Sequence, residues 1–222
     1  MSTRPHGRTA APATGPDADD AALDPREALA LLESERDRTQ QHLEPDARLI
    51  YGVWGVAWLV GFLALWSAST GAGPLSRPVA FVVFGGLLAV AVVVTAVHSI
   101  RRTAGLRGGS AAVGAMYGWA WLLGFGGLFA VMQAAAAAGA SPEVLNVLGP
   151  ALPALVVGLL YLAGGALWQE RVQYALGAWI IATGAVAALT GWPTNELVMA
   201  LLGGGGFLVG AVVVALAGRR SA

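Results

Sequence analysis

The stretch LIYGVWGVAWLVGFLALWSAS, residues 49–69, carries no Asp, Glu, Lys or Arg over 21 consecutive positions. As a helix rising 1.5 Å per residue, about 20 residues cross about 30 Å of hydrocarbon. The run offers no polar face to water, so it does not read as a surface helix of a soluble bundle. It is also about twice as long as a strand of a membrane barrel. Residues 49–69 therefore read as a transmembrane helix. Five further runs of the same character follow, over 78–99, 113–134, 150–168, 172–191 and 197–217, and none carries an acid, Lys or Arg in its interior. The fold class expected is an all-α membrane protein with six transmembrane helices.

Composition points the same way. Of the 222 residues, 56% are hydrophobic and 12% charged, against about 25% charged in an ordinary soluble domain. Net charge is zero, so no overall field draws nucleic acid. Cysteine is absent, which removes disulfides, Cys-ligated zinc, iron–sulfur clusters and thiol nucleophiles together. Every one of the 13 basic residues is Arg, a choice expected of GC-rich coding.

Arg placement sets the orientation by the positive-inside rule. With six spans both termini share a side, and 12 of the 13 Arg fall on it; only Arg77 lies opposite. The expected location is the inner (plasma) membrane, multi-pass, with both termini cytoplasmic. Tyr51, Trp54, Tyr117, Trp119, Trp168 and Tyr174 fall near the inner boundary, and Trp66 and Trp192 near the outer one.

Three regions result. Residues 1–23 are rich in Ala, Pro, Thr and Asp without apolar period and read as a disordered cytoplasmic tail. Residues 24–48 read as a cytoplasmic juxtamembrane helix: Asp24 caps it, Pro25 suits its first turn, and Leu29 and Leu32 lie on one stripe. Residues 49–220 form the transmembrane domain. Its loops are short, the longest being 135–149, where Ser141-Pro142-Glu143 starts a short surface helix ending at Gly149. Residues 192–196, WPTNE, read as the last loop.

A weak repeat runs through the spans. Ala57-Trp58, Ala120-Trp121 and Ala178-Trp179 recur 63 and 58 residues apart, and GGLLAVAVVV at 85–94 parallels GGFLVGAVVV at 205–214. Three tandem helical hairpins of like orientation would produce both spacings, as would chance recurrence of Gly, Ala, Val and Trp in apolar helices.

The candidate site residues are few. Gly203, Gly204, Gly205 and Gly206 sit within the sixth span, where each Gly costs about 1 kcal/mol relative to Ala. Close helix packing accounts for them, as it does for the Gly114/Gly118 and Gly206/Gly210 pairs; the alternative is a helix opened to offer its backbone to a ligand. Glu170 and Arg171 form the turn between the fourth and fifth spans, either as a solvated turn or, with Leu29 and Leu32, as a docking point for a cytoplasmic partner. His98, Thr95, Thr183 and Gln133 read as structural. No nucleophile elbow, phosphate loop or zinc motif is present in the sequence. With no acid expected inside the membrane, an enzyme or an ion-coupled pump is disfavoured. Neither a cofactor nor a metal is expected.

The stretches DPREAL (24–29), EPDAR (44–48), LYLAGGALWQ (160–169), ALGAW (175–179) and GGGGFL (203–208) resemble those of a group of small, uncharacterised six-helix integral membrane proteins of high-GC bacteria, some labelled transporter. The resemblance covers most of the chain from residue 24 and implies no substrate and no catalytic residue. The expected function is a transporter, or a membrane subunit associated with an ATPase partner, for an uncharged solute. The alternative is a non-catalytic scaffold that recruits a cytoplasmic partner through its N-terminal helix. The lipid bilayer and self-association are the other contacts expected.

Overall fold

In a computed structural model of the chain, residues 46–103 and 109–220 are described, together with Asp24, Arg26, Leu29 and Leu31. Asp24 Oδ1 accepts from Arg26 N (3.1 Å), and Arg26, Leu29 and Leu31 are helical. Leu32, the tail over 1–23 and most of the helix expected over 24–48 lie outside the described residues, and the end of that expected range, Ala47 and Arg48, belongs to the first spanning helix. Residues up to His42 form one unit and Leu43–Ala222 another, and among the described residues every helix long and apolar enough to cross a membrane belongs to the second.

Helices α1 (Ala47–Thr70), α2 (Arg77–Thr103), α3 (Gly109–Ala137), α4 (Pro142–Leu167) and α5 (Arg171–Thr190) are followed by α6 (Thr194–Val198), a π-helical turn (Met199–Gly204) and α7 (Gly205–Arg220). The last three form one continuous rod, so six helices are long and apolar enough to cross a membrane. No strand occurs among the described residues. Asp46 caps α1, its side chain accepting from Arg48 N, and Gly71 ends the helix with φ 71°, a conformation that costs glycine little.

Two of the expected boundaries are corrected. The link over 135–149 shrinks to residues 138–141, because Ser141 starts not a short surface helix but α4 itself. That helix runs through Gly149, Pro150 and Pro153 to Leu167. A proline inside a helix lacks the N–H owed to the carbonyl four residues earlier, so the Asn146 carbonyl loses its partner. Asn195 Nδ2 supplies one at 2.8 Å, which is how the helix tolerates Pro150 at this depth. The second correction concerns 192–196. Only Trp192 and Pro193, joined by a cis peptide bond, remain a turn; Thr194 starts the sixth span, and Asn195 and Glu196 are buried.

The core lies among α1, α4, α5 and the sixth span. Phe207, 1% exposed, sits at its centre against Tyr51, Trp58 and Tyr161 with ring centroids 5.3–6.5 Å apart. Such tilted and edge-on pairs are each worth about 0.5–1.5 kcal/mol beyond area burial. Helix α2 packs mainly on α1, through Phe84 against Phe62. Helix α3 packs mainly on α4, where Tyr117 Oη donates to Leu160 O (2.8 Å). Both therefore stand at the edge of the bundle with most of their apolar surface outward. The three Ala-Trp pairs do not share one environment: Trp58 is buried, Trp121 packs at the core margin, and Trp179 is half exposed.

Helices α4 and α5 approach closest. A Cβ on Gly177 would lie 2.7 Å from Leu162 N and 2.8 Å from Gly158 O, and one on Gly165 would lie 2.6 Å from Tyr174 N. Backbone meets backbone along this seam. In lipid, packing of this kind replaces the hydrophobic drive as the force between helices.

Candidate functional site

The glycines of the sixth span fall into two kinds. A Cβ on Gly204 would sit 2.5 Å from Leu59 N and 2.8 Å from Leu59 Cα; on Gly203 it would sit 2.9 Å from the Trp58 ring, and on Gly206 it would collide with the Trp179 indole. Gly205 has nothing within 4 Å. The helix is not opened at this point but widened into a π turn, and Trp179 Nε1 donates to Leu202 O (2.9 Å) there. At Gly210 a Cβ would make ordinary contact, 3.5 Å from Leu176 and from Tyr51. Gly114 and Gly118 meet nothing within 4 Å, so within this chain they pack no neighbour among the described residues, contrary to the sequence expectation. Helix α3 meets α4 instead through Tyr117, Trp121 and Gly124, where a Cβ would lie 3.3 Å from Val156.

Glu170 and Arg171 are exposed at the α4–α5 turn, which Gln169 makes with φ 58°. A shallow groove of about 240 Å³ lies beside them, lined by Gly165, Ala166, Gln169 and Tyr174. Leu29 is exposed as well. Leu29 belongs to the unit up to His42, whereas Glu170 and Arg171 belong to the helical bundle. His98 Nε2 accepts from Asp46 N (2.9 Å), tying the end of α2 to the start of α1, and Thr95 accepts from Trp54 Nε1 (3.0 Å). Both roles are structural. Asp46 is held below the usual carboxylate range, chiefly by the hydrogen bond from the Arg48 side chain.

Among the described residues, the one concentrated polar site lies at the opposite end of the bundle, and it forms where the sequence reading placed only loop and terminus residues. Arg77, at the start of α2, pairs through Nη1 with Glu196 Oε1 at 3.1 Å. The same nitrogen donates to Ser69 Oγ at the end of α1. Its Nη2 donates to Asn146 Oδ1 in α4 (3.1 Å). Ser69 Oγ in turn donates to Glu196 Oε2 (2.7 Å), with Leu65 O as an alternative acceptor at 2.8 Å. The guanidinium carbon lies 5.2 Å from the Phe81 ring centroid and 5.3 Å from that of Trp192, within cation–π range. Asn195 completes the network: its Nδ2 holds the Asn146 carbonyl, while its Oδ1 is buried without a partner.

Burial is uneven across the pair, with 28% of the Arg77 side chain exposed and 4% of that of Glu196. A carboxylate this deep is costly unless paired and hydrogen-bonded, and both requirements are met. The cluster ties α1, α2, α4 and the sixth span at one end. Among the described residues no group of three or more His, Cys, Asp or Glu is placed to hold a metal.

No protein family, curated protein or solved structure matches this chain. Function therefore rests on the site and the fold alone.

Proposed function

We propose that this chain is a membrane subunit of a transport assembly for an uncharged solute, acting beside an ATPase partner rather than as a route by itself. The observation that carries the reading is the filled centre of the bundle, where Phe207 plugs the space between Tyr51, Trp58 and Tyr161. Two concavities are shallow and peripheral: one of about 250 Å³ between α1 and α2 beside Gly52, Val56 and Val90, and the groove at the α4–α5 turn. The outward apolar faces of α2 and α3 suit lipid and a membrane partner alike. Arg asymmetry supports cytoplasmic termini in the plasma membrane, with the Arg77–Glu196 cluster on the outer side. A tandem three-hairpin origin fits the Ala-Trp spacing.

The test is reconstitution alone and with a co-purified ATPase, followed by uptake of a panel of uncharged solutes. Uptake only with the partner is expected. Uptake by the chain alone would replace the subunit reading with a self-sufficient transporter, and binding of no solute in either setting would end the transport reading.

A second reading is favoured by the exposure of Leu29 (59%) and Leu31 (51%): a scaffold whose N-terminal segment recruits a cytoplasmic partner. Deleting residues 1–44 separates the two. Loss of partner binding with normal membrane insertion supports the scaffold.

A further inference from the structure

We propose that the cluster at the Arg77 end is an organic-cation site whose resident occupant is the chain's own guanidinium, and that a free guanidinium or ammonium compound takes the same place when Arg77 is absent or displaced. The inference is independent of the transport reading.

The partners of Arg77 form a receptor of one chemical kind. A carboxylate (Glu196), a hydroxyl (Ser69), an amide oxygen (Asn146) and two aromatic faces (Phe81 and Trp192) converge on it. Four of the five come from outside α2, and each presents an acceptor or a π face. That set suits a delocalised monovalent cation able to donate in several directions at once. It suits a divalent metal poorly, since hard divalent cations gather about six or more oxygens and several charges. The network also holds one acceptor more than Arg77 uses: Asn195 Oδ1, on the same helical turn as Glu196 and linked to Asn146, is buried with no donor.

The occupant is removable. Arg77 belongs to the edge helix α2, which packs mainly on α1, and its guanidinium sits at the end of the bundle, outside the aromatic core around Phe207. Its guanidinium is the more exposed partner of the pair, which leaves a free cation the shorter way in. A tethered group competes with an effective concentration on the order of millimolar. A free cation must therefore exceed that level to enter the intact protein, and binds more readily once the tether is cut.

The experiment uses the full-length Arg77→Ala protein in nanodiscs with methylguanidinium as the probe and urea as its uncharged counterpart. Melting is followed by tryptophan fluorescence. The expected result is a saturable rise in melting temperature with methylguanidinium, none with urea, none in Arg77→Ala/Glu196→Gln, and a smaller rise in the wild type. Equal responses in the single and double variants, or no saturable response, would overturn the proposal and leave the ion pair purely structural. If Arg77→Ala does not fold, Arg77→Gln carries the same test. Should neither fold unaided, methylguanidinium present during extraction is expected to restore monodisperse protein where urea does not; failure to do so overturns the proposal equally.

Discussion

Cutting the Arg77–Glu196 pair from either side should give unequal costs, and the inequality reports how deeply the carboxylate is held. Arg77→Met keeps much of the stem that packs at the head of α2 but removes the charge. Glu196 is then left 4% exposed with the Ser69 hydroxyl as its donor. Breaking a buried pair by removing one member costs about 3–5 kcal/mol. The partial exposure of Arg77 places this case near the lower figure, about 3 kcal/mol. Glu196→Gln leaves no buried negative charge and keeps an oxygen toward Arg77, so its cost is that of a weakened charged hydrogen bond, about 1–2 kcal/mol. In the double variant the stranded carboxylate is gone. Its stability should lie close to that of Glu196→Gln, giving a coupling of about 2–3 kcal/mol. The assay is reversible unfolding by SDS titration in mixed micelles, read by circular dichroism. Should Arg77→Met cost the same with Gln at 196 as with Glu, to within about 0.5 kcal/mol, the two side chains are not coupled and the account of the site is wrong.

Three further outcomes rest on the same geometry. Gly204→Ala, whose Cβ would meet the Leu59 backbone at 2.5 Å, is expected to lose about 1–3 kcal/mol by overpacking. Gly205→Ala, with open space, should gain up to about 1 kcal/mol from helix propensity, and Gly118→Ala should behave like Gly205→Ala; SDS unfolding ranks the three. In this cysteine-free chain, Ala72→Cys and Ser141→Cys should react with an impermeant maleimide from one side of the membrane and Arg219→Cys from the other. Asn195→Cys, at a buried position, should react from neither, whereas ready labelling there would restore it to a loop. Asp46→Ala should destabilise by about 1 kcal/mol through loss of the α1 cap. Because the folded carboxyl lies below its ordinary value, that difference is full at neutral pH and above the unfolded pKa. It vanishes as pH falls through the folded value, which a pair of melting curves at neutral and strongly acid pH will show.

The spans were legible because a run of about 20 apolar residues has few other uses. Their ends were not, and for a shared reason. Ser141, Asn146, Asn195 and Glu196 flank apolar runs, and a polar residue at such a border reads as a loop whether it faces water or another polar group. Two signals for the buried cluster were nevertheless present. Among the described residues, Arg77 is the one Arg at its end of the bundle, and Glu196 is one of two acids there, with Glu143, so the sparsest end held complementary charges. Pro150 also announces a carbonyl in need of a donor at Asn146, though no sequence rule says that Asn195 would answer it. The tight α4–α5 seam was legible as well: Gly158 and Gly165 are seven residues apart, as are Gly177 and Gly184, which puts each pair on one helix face. Attention to the shorter Gly114/Gly118 spacing pointed instead to a helix that packs chiefly through its aromatic residues.

The π turn sets the gearing of the sixth span. Buried positions there come in pairs four apart: Asn195 and Glu196, Met199 and Ala200, Gly203 and Gly204. In a regular α-helix each step of four residues turns the face by about 40°, so pairs at this spacing would wind off the bundle. The wider π turn holds them in phase. Removing a single residue between Met199 and Gly204 would return the segment to regular α-helix, with Glu196 and Phe207 still nearly in phase. The extra residue of the π turn is therefore what lets Gly203 and Gly204 both face the bundle, against Trp58 and the Leu59 backbone.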